Sequence, residues 1–373
     1  MKEDQIDLIF TGDLCCHNRF AQKLESGEEI ISDRLKNLLK EADSVIFNYE
    51  GSSFGVKPAV SGKTNLKNSL EIAPYLSSFS KPVFNLANNH TMDYGKEGLI
   101  QTIEEFQKKE WQNFGAGESS KAASTPFMIQ KGDLKINIWG IHAYSSDVSG
   151  HSNFGLNGLK SMKYIKKAIK IQRDNQKNII CIHGGEEFTF YPMPEKRRLL
   201  QKIAMGIRPD VILCHHSHTI QGVEIVNGTL VFYSLGNFMF DFPSHAIYDD
   251  TQHGLLVKLH IRKDKISYQL SGINCDLSGI IIDTYDLNTI PEIENRLDIS
   301  DYKQNIGTDA HRVIFESKKN RNKILPQVAS DRKKYIFSIN RLRLLLSILS
   351  DRFLISLYYQ ALKYKFFVRA FRK

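Results

Sequence analysis

Over roughly its first two-thirds the chain alternates short apolar runs with amphipathic helical patterns. The run IDLIFTGD at 6–13 precedes the helical pattern DRLKNLLKEA, and the run SVIFNYEG at 44–51 follows it. Three apolar runs, TLVFYSLGNFMFD, GLLVKLHIR and KISYQLSGINCD, come later with short turns between them. Strands that alternate with helices form mainly parallel, helix-covered sheets, so the pattern predicts an α/β fold in which the last three runs are consecutive strands.

Polar residues follow the apolar runs where each predicted strand ends. They are Asp13, Asn48, Glu50, the triplet Asn88-Asn89-His90, His183, and the cluster His215-His216-Ser217-His218. Open α/β sheets bind their ligands beyond the carboxyl ends of the strands. We therefore expect these side chains to converge on one site.

The residue types narrow the chemistry of that site. Taken singly, Asp13 after Gly12 is typical of a turn, the asparagines suit left-handed turn positions, and His183 is compatible with a hydrogen-bonded core histidine. Three histidines within four residues favour ligation instead. Carboxylates, amide oxygens and imidazoles together suit Mn, Fe, Zn or Mg better than a thiolate-bound structural zinc, so a divalent metal site is predicted.

Other residues near these strand ends have secondary roles. Asp93 is predicted to cap the following helix and to orient His90. Glu187, four residues after His183, is predicted to face the substrate or to support a ligand. The cysteines in the apolar runs are interpreted as small core residues, and their odd total of five favours reduced thiols over a disulfide framework.

Six segments together resemble the CapA family of poly-γ-glutamate capsule biosynthesis proteins, whose domain is similar to calcineurin-like metallophosphoesterases. The segments are TGD at 11–13, FNYEG at 47–51, NLANNHTMDYGKEGL at 85–99, HGGEEF at 183–188, PDVILCHHSHTIQ at 209–221 and YSLGNFMFD at 233–241. The resemblance covers roughly residues 5–285.

The resemblance implies a four-layer α/β/β/α sandwich with a dinuclear centre of two divalent metal ions. Glu50 stands where the related phosphoesterases have a bridging Asp, His90 would be the general acid or transition-state stabiliser, and Asn237 would support the site. One departure is Cys15, at a position where these phosphoesterases usually have a His. The metal ligands that the resemblance implies are Asp13, Glu50, Asn89, His183, His216 and His218; the catalytic residues proposed beside them are His90, Asp93 and Glu187.

Basic charge is concentrated at the end of the chain. The net charge is +9, and from Ser317 to Lys373 there are 15 Lys and Arg against only Asp331 and Asp351. We predict three parts: a CapA-like metallophosphoesterase domain at 1–285, a linker or small helical extension at 286–330, and a basic amphipathic helical segment at 331–373. The last part would dock on the body with its basic face solvated, contact an anionic membrane surface, or bind an anionic polymer; its many Leu and Phe residues disfavour nucleic acid, and no specific nucleic-acid partner is expected.

Localisation is predicted from the two ends of the chain. The stretch LLLSILSDRFLISLYY is interrupted by Asp351 and Arg352, which makes a transmembrane helix unfavourable. The start MKEDQIDLIF has no basic segment before an apolar core, so no secretory signal is predicted. We expect a cytoplasmic protein with peripheral contact at the inner membrane face.

Together these features favour a metal-dependent hydrolase that acts on a phosphoester, or on an amide, in capsule or cell-surface polymer biosynthesis. Its substrate would be an anionic polymer or a phosphorylated precursor. The alternative is a non-catalytic metal-binding assembly factor of a capsule synthesis complex. A nuclease or nucleotide phosphodiesterase is a weaker hypothesis that only the fold and the basic tail support.

Overall fold

The computed structural model describes residues 4–59, 64–143, 155–170, 176–242, 245–276, 281–316 and 351–368. The strands are β1 (Ile6–Cys15), β2 (Ser44–Tyr49), β3 (Pro82–Asn85), β4 (Gln112–Phe114), β5 (Ala116–Gly117), β6 (Phe127–Lys131), β7 (Leu134–His142), β8 (Gly155–Leu156), β9 (Gln176–His183), β10 (Val211–His215), β11 (Ile220–Val226), β12 (Thr229–Leu235), β13 (Asn237–Phe240), β14 (His253–Ile261), β15 (Ile266–Asp276) and β16 (Ile281–Tyr285).

Helices connect most of the parallel strands. They are α1 (Arg19–Glu25), α2 (Asp33–Lys40), α3 (Ala73–Ser78), α4 (Gly95–Lys108), α5 (Ser120–Ser124), α6 (Met162–Lys170), α7 (Pro194–Gly206), α8 (Pro291–Leu297), α9 (Tyr302–His311) and α10 (Arg352–Lys363). In α2 the sequence sets both the start and the buried face. The Ser32 side chain accepts a hydrogen bond from the Leu35 N–H at 3.1 Å, and Leu35 and Leu39 point into the core.

Two large sheets carry the fold. The first has the order β16-β15-β14-β1-β2-β3-β4, with β13 added in parallel beside β1, and the second has the order β11-β12-β10-β9-β7-β6. Strands β1 to β4 are parallel in the first sheet, and β7, β9, β10 and β12 are parallel in the second. The α/β prediction is therefore confirmed.

The sheets pack face to face and helices cover both outer surfaces. Phe10 and Ile46 of the first sheet share one core with Ile138 and Leu213 of the second. The outer face of the first sheet packs against α2 and α4, and the outer face of the second packs against α6, α7 and α10. This layer order is α/β/β/α, so the predicted four-layer sandwich is confirmed.

The run TLVFYSLGNFMFD, predicted as one strand, is two strands in two different sheets. β12 pairs with β10 and β11 in the second sheet, whereas β13 pairs with β1 in the first. Gly236 lies between them with φ 64°, a left-handed conformation, and a Cβ there would lie 2.5 Å from the His253 carbonyl oxygen. Only glycine fits this crossing, and both halves of the run are buried, so apolar patterning gives no sign of the break.

The chain after β16 is helical where it is described. α8, α9 and a π-helical turn (Arg312–Glu316) follow one another, and Ile293, Ile299 and Tyr302 are buried on the second sheet. Residues 317–330 lie outside the described residues, as do 331–350 and 369–373 of the predicted basic segment. Within that segment, α10 is followed by a π-helical turn (Tyr364–Val368). The three predicted domain boundaries stay predictions.

No helix in the described part of the chain is both long and apolar enough to cross a bilayer.

Candidate metal centre

Parallel pairing brings the predicted strand ends to one edge of the sandwich. Asp13 lies opposite both Asn48 of β2 and Asn237 of β13. In the second sheet His183 lies opposite His215, the residue at which the histidine cluster begins. Because the two sheets face each other, the first-sheet carboxylates and the second-sheet imidazoles meet, as the sequence predicts.

Asp13 is fully buried between the sheets. Its Oδ1 accepts a hydrogen bond from Asn48 Nδ2 at 2.7 Å, and its Oδ2 accepts one from the His216 N–H at 3.2 Å. Burial raises the pKa of the Asp13 carboxyl to about 7, although these hydrogen bonds lower it in part. A divalent cation would stabilise the ionised carboxylate, so the environment of Asp13 fits a metal ligand.

His216 and His218 lie on a strained turn that follows β10. Their φ angles are 97° and 55°, in the left-handed region that side chains rarely adopt. His218 Nδ1 lies 2.9 Å from Asn237 Oδ1, while Asn237 Nδ2 donates to the Thr251 carbonyl at 2.8 Å. Such strain persists where the surroundings hold it in place, and Asn237 is one of the groups that hold His218.

His183 lies at the centre of the imidazole cluster. Its Nε2 is 2.8 Å from Asn89 Oδ1 and 3.1 Å from His216 Nδ1. Burial lowers the pKa of His183 and of His216 well below the usual value, and it lowers the pKa of His218 to about 4. All three imidazoles are therefore neutral at physiological pH, which is the form that binds a metal ion.

Two groups of three side chains are arranged closely enough to hold a metal ion. The first is Asp13, Glu50 and His183, the second is Glu50, His216 and His218, and within each group the ligand atoms lie within 4.8 Å of one another. All five side chains are buried. Glu50 belongs to both groups, which is the position that a bridging carboxylate requires. Carboxylate and neutral imidazole donors suit the predicted divalent metals, so the residues fit such a centre.

His90 and Asp93 form a pair beside these groups. His90 Nδ1 is 2.7 Å from Asp93 Oδ2, and His90 Nε2 is 3.7 Å from Glu50 Oε1. Asp93 Oδ2 also accepts the Leu66 N–H at 2.7 Å. Asp93 thus orients His90, as predicted. It does not occupy the predicted capping position, because α4 begins at Gly95 directly after Tyr94.

Glu187 lies at the exposed side of the centre. It is in the loop that follows β9, its side chain is 46% exposed, and its Oε1 is 3.7 Å from His216 Nε2. A carboxylate in this place can face an incoming substrate, which keeps that prediction open to test.

Asn48 supports the centre, although the sequence predicts no role for it beyond its place at a strand end. Its Nδ2 lies 2.7 Å from Asp13 Oδ1 and 3.0 Å from His183 Nδ1, and its Oδ1 accepts from Asn85 Nδ2 at 2.9 Å. It therefore links ligands of the two sheets. Its position on β2, in register with Asp13, is the signal that could have identified it.

The cysteines behave as core residues. All five are buried as thiols, and Cys15 packs with Leu66, Phe240 and Phe242. Burial raises the pKa of the Cys15 thiol well above its usual value, so this residue is a neutral packing group.

Comparison with known proteins identifies the family. The profile described as "Bacterial capsule synthesis protein PGA_cap" matches residues 7–242. The chain belongs to this family. The matched residues include all six proposed ligands as well as His90, Asp93, Glu187 and Asn237, and they end before α8, α9 and α10.

Two relatives are similar over large parts of the chain. The "PGA biosynthesis protein CapA" of Bacillus subtilis is 28% identical over 70% of this chain and 69% of its own length. The "Capsule biosynthesis protein CapA" of Bacillus anthracis is 29% identical over 48% of this chain and 44% of its own length. The chain therefore spans less than half of the second relative. A solved phosphatase from Mycoplasma pneumoniae aligns over 80% of this chain and 98% of its own length, at 15% sequence identity and a TM-score of 0.42.

Proposed function

We propose that the protein is a metal-dependent hydrolase that acts on a phosphoester in capsule or cell-surface polymer biosynthesis. The observation that carries the proposal is the place of Glu50 in two buried donor groups, with His90 beside them. Membership of a capsule synthesis family supports the biological setting. An amide bond is the second candidate for the bond that is cleaved.

The site residues have two proposed roles, metal binding and proton transfer. Asp13, Glu50, Asn89, His183, His216 and His218 would hold two divalent ions, which supply Lewis-acid polarisation and water activation when bound. Asp93 accepts a hydrogen bond from His90 Nδ1, so His90 Nε2 is the atom that faces the centre. With a second proton on Nε2, the imidazolium form of His90 can donate that proton to a leaving-group oxygen, or donate a hydrogen bond to a charged oxygen of the transition state.

The proposed substrate is an anionic polymer or a phosphorylated precursor of one. The names of the two Bacillus relatives refer to PGA and capsule biosynthesis, which supports a surface polymer as the product. Glu187, half exposed beside His216, is placed to contact whatever part of the substrate enters from solvent.

Substituting His90 tests the proposal. With Mn²⁺ added, the wild type should hydrolyse a bis-aryl phosphodiester, and His90→Ala should lower kcat by about a hundredfold or more because a positioned proton donor is lost. Metal content should stay at the wild-type level. The matched control is His260→Ala, since His260 Nδ1 also pairs with a carboxylate, Asp7 Oδ1 at 2.9 Å, but near the C-terminal end of β14.

The outcomes separate the candidate functions. Bound metal without turnover of any phosphoester would favour an amide substrate or the non-catalytic assembly factor. Equal kcat values for His90→Ala and His260→Ala would remove the role assigned to His90.

We also propose that α10 contacts an anionic membrane surface. The outward face of α10 and of the π-helical turn after it carries an apolar stripe of Ile355, Tyr359, Leu362 and Phe366, whose exposed fractions are 43%, 60%, 42% and 62%. Exposed Lys363 and Lys365 adjoin the stripe, and the sequence from Arg352 to Lys373 contains no Asp or Glu. Apolar side chains beside basic ones are typical of helices that lie in the headgroup region of anionic lipid.

Vesicle binding tests this surface. The full chain should sediment with phosphatidylglycerol vesicles, and serine at all four stripe positions should lower the bound fraction severalfold. The control carries serine at Met128, Ile225 and Ile281, which are 68%, 73% and 48% exposed elsewhere on the molecule. If the stripe variant binds like the control, or if the stripe instead mediates concentration-dependent dimerisation without vesicles, the membrane proposal is wrong.

A further inference from the structure

The loop at 184–191 joins β9 to the segment before α7, and it carries Glu187 and Phe188 to the metal centre. It contacts residues 291–316, which comprise α8, α9 and the π-helical turn after α9 and are called the extension below. The extension lies beyond the residues 7–242 that match the family. Its contacts with the loop are consequently a property of this chain that the family match does not describe.

Asp309 of the extension binds the loop backbone directly. It is only 5% exposed, and its Oδ2 accepts the N–H groups of Phe190 and Tyr191 at 2.7 and 3.0 Å. Its Oδ1 accepts from Arg312 Nη2 at 2.9 Å. A buried carboxylate that accepts two successive backbone N–H groups fixes both peptides, because charged hydrogen bonds are short and strong.

Arg312, the ion-pair partner of Asp309, also binds this loop. Its Nη2 donates to the Phe188 carbonyl at 2.6 Å, and its guanidinium carbon lies 3.7 Å from the centre of the Phe190 ring. The guanidinium carbon of Arg296, which pairs with Asp250 at 2.6 Å, lies 3.5 Å from the same ring. Two arginines thus hold one aromatic ring by cation–π contact.

The opposite side of the loop contacts the metal centre. The Phe188 N–H donates to the Ser217 carbonyl at 2.8 Å, and the Phe188 ring stacks on His218 with 5.8 Å between ring centres. Phe188 has a φ of 63°, so its backbone is strained between the two attachments. Next to it, Glu187 reaches to 3.7 Å from His216.

We infer that Asp309 and Arg312 are positioning residues, which set the places of Glu187 and Phe188 against His216 and His218. The inference rests on the proposed function, because the centre that they position is the proposed metal site. It goes beyond that function by making the extension a part of the site. A purely structural role would instead stabilise the fold and leave the centre unchanged.

The test uses Co²⁺ as the probe and the full chain in every variant. Asp309→Ala should weaken Co²⁺ affinity about tenfold, which is a typical effect of removing a group that holds metal ligands in place. It should also change the absorption spectrum of bound Co²⁺. Asp309→Asn keeps an oxygen acceptor for the two N–H groups and should recover most of the affinity. The matched control is Asp210→Ala: Asp210 Oδ2 accepts the Asn178 N–H at 2.8 Å near the far end of β9. Both alanine variants should lower the melting temperature, but the control should leave Co²⁺ binding unchanged.

A second readout needs no metal. In the metal-free protein, the imidazole NMR signals of His216 and His218 should shift in Asp309→Ala and stay in place in Asp210→Ala. If the wild type binds no Co²⁺, the proposed function fails, while these signals still decide the inference. Wild-type affinity and wild-type imidazole signals in Asp309→Ala would overturn it. If that variant does not fold, Arg312→Lys takes its place with the same readouts, since Lys keeps the charge and loses the planar fork.

Discussion

Glu50→Gln is expected to abolish metal binding at both donor groups at once. Glu50 is fully buried and is the one residue shared by the group with Asp13 and His183 and the group with His216 and His218. An amide can offer one neutral oxygen but cannot bridge two cations or balance their charge in a buried site. The loss should therefore exceed that of any substitution confined to one group.

Single-group substitutions give the comparison. Elemental analysis and calorimetric titration with Mn²⁺ should find about two ions per chain in the wild type, about one in His183→Ala or His218→Ala, and almost none in Glu50→Gln. The control is Glu224→Gln, because Glu224 pairs with Arg197 at 2.8 Å on β11 and is not part of either group. If Glu50→Gln retains one tightly bound ion, Glu50 belongs to one group only and the bridging role is wrong.

The convergence of these ligands could be predicted because parallel strands share an edge. Asp13 and Asn48 lie near the carboxyl ends of neighbouring strands of one sheet, and His183 and His215 end neighbouring strands of the other. The polar residues at each strand end are therefore sufficient to identify these side chains as members of one site. The pairing of His90 with Asp93 was also local, since the two residues are three positions apart.

The groups that support the centre from a distance could not be predicted in this way. Asp309 binds the N–H of Phe190 across 119 positions of sequence, and no periodic pattern encodes such a contact. The crossing at Gly236 was missed for a different reason. The runs on either side are both buried, so apolar content alone does not show that the chain changes sheets there.

Three glycines meet where β1, β13 and β14 approach one another, and Gly254→Ala should therefore be strongly destabilising. A Cβ at Gly254 would lie 1.9 Å from the Asn237 carbonyl oxygen, and one at Gly12 would lie 2.3 Å from the Gly236 carbonyl oxygen. In both cases the added Cβ would clash with a backbone atom, and the clash can be relieved only if the strands move apart. We expect Gly254→Ala to lower the free energy of unfolding by about 3 kcal/mol or more, measured by urea denaturation.

The control for this substitution is Gly206→Ala at the end of α7, where an added Cβ meets nothing within 4 Å. It should change the free energy of unfolding by less than about 1 kcal/mol. We expect this change to be an increase, because alanine lowers the conformational entropy of the unfolded chain relative to glycine. Gly254→Ala should also weaken Mn²⁺ binding, since Asn237 lies 2.9 Å from His218 and shifts with its strand. Equal unfolding free energies for the two variants would show that β13 and β14 can separate freely. In that case the close approach of these strands could not be what holds Asn237, and through it His218, in place.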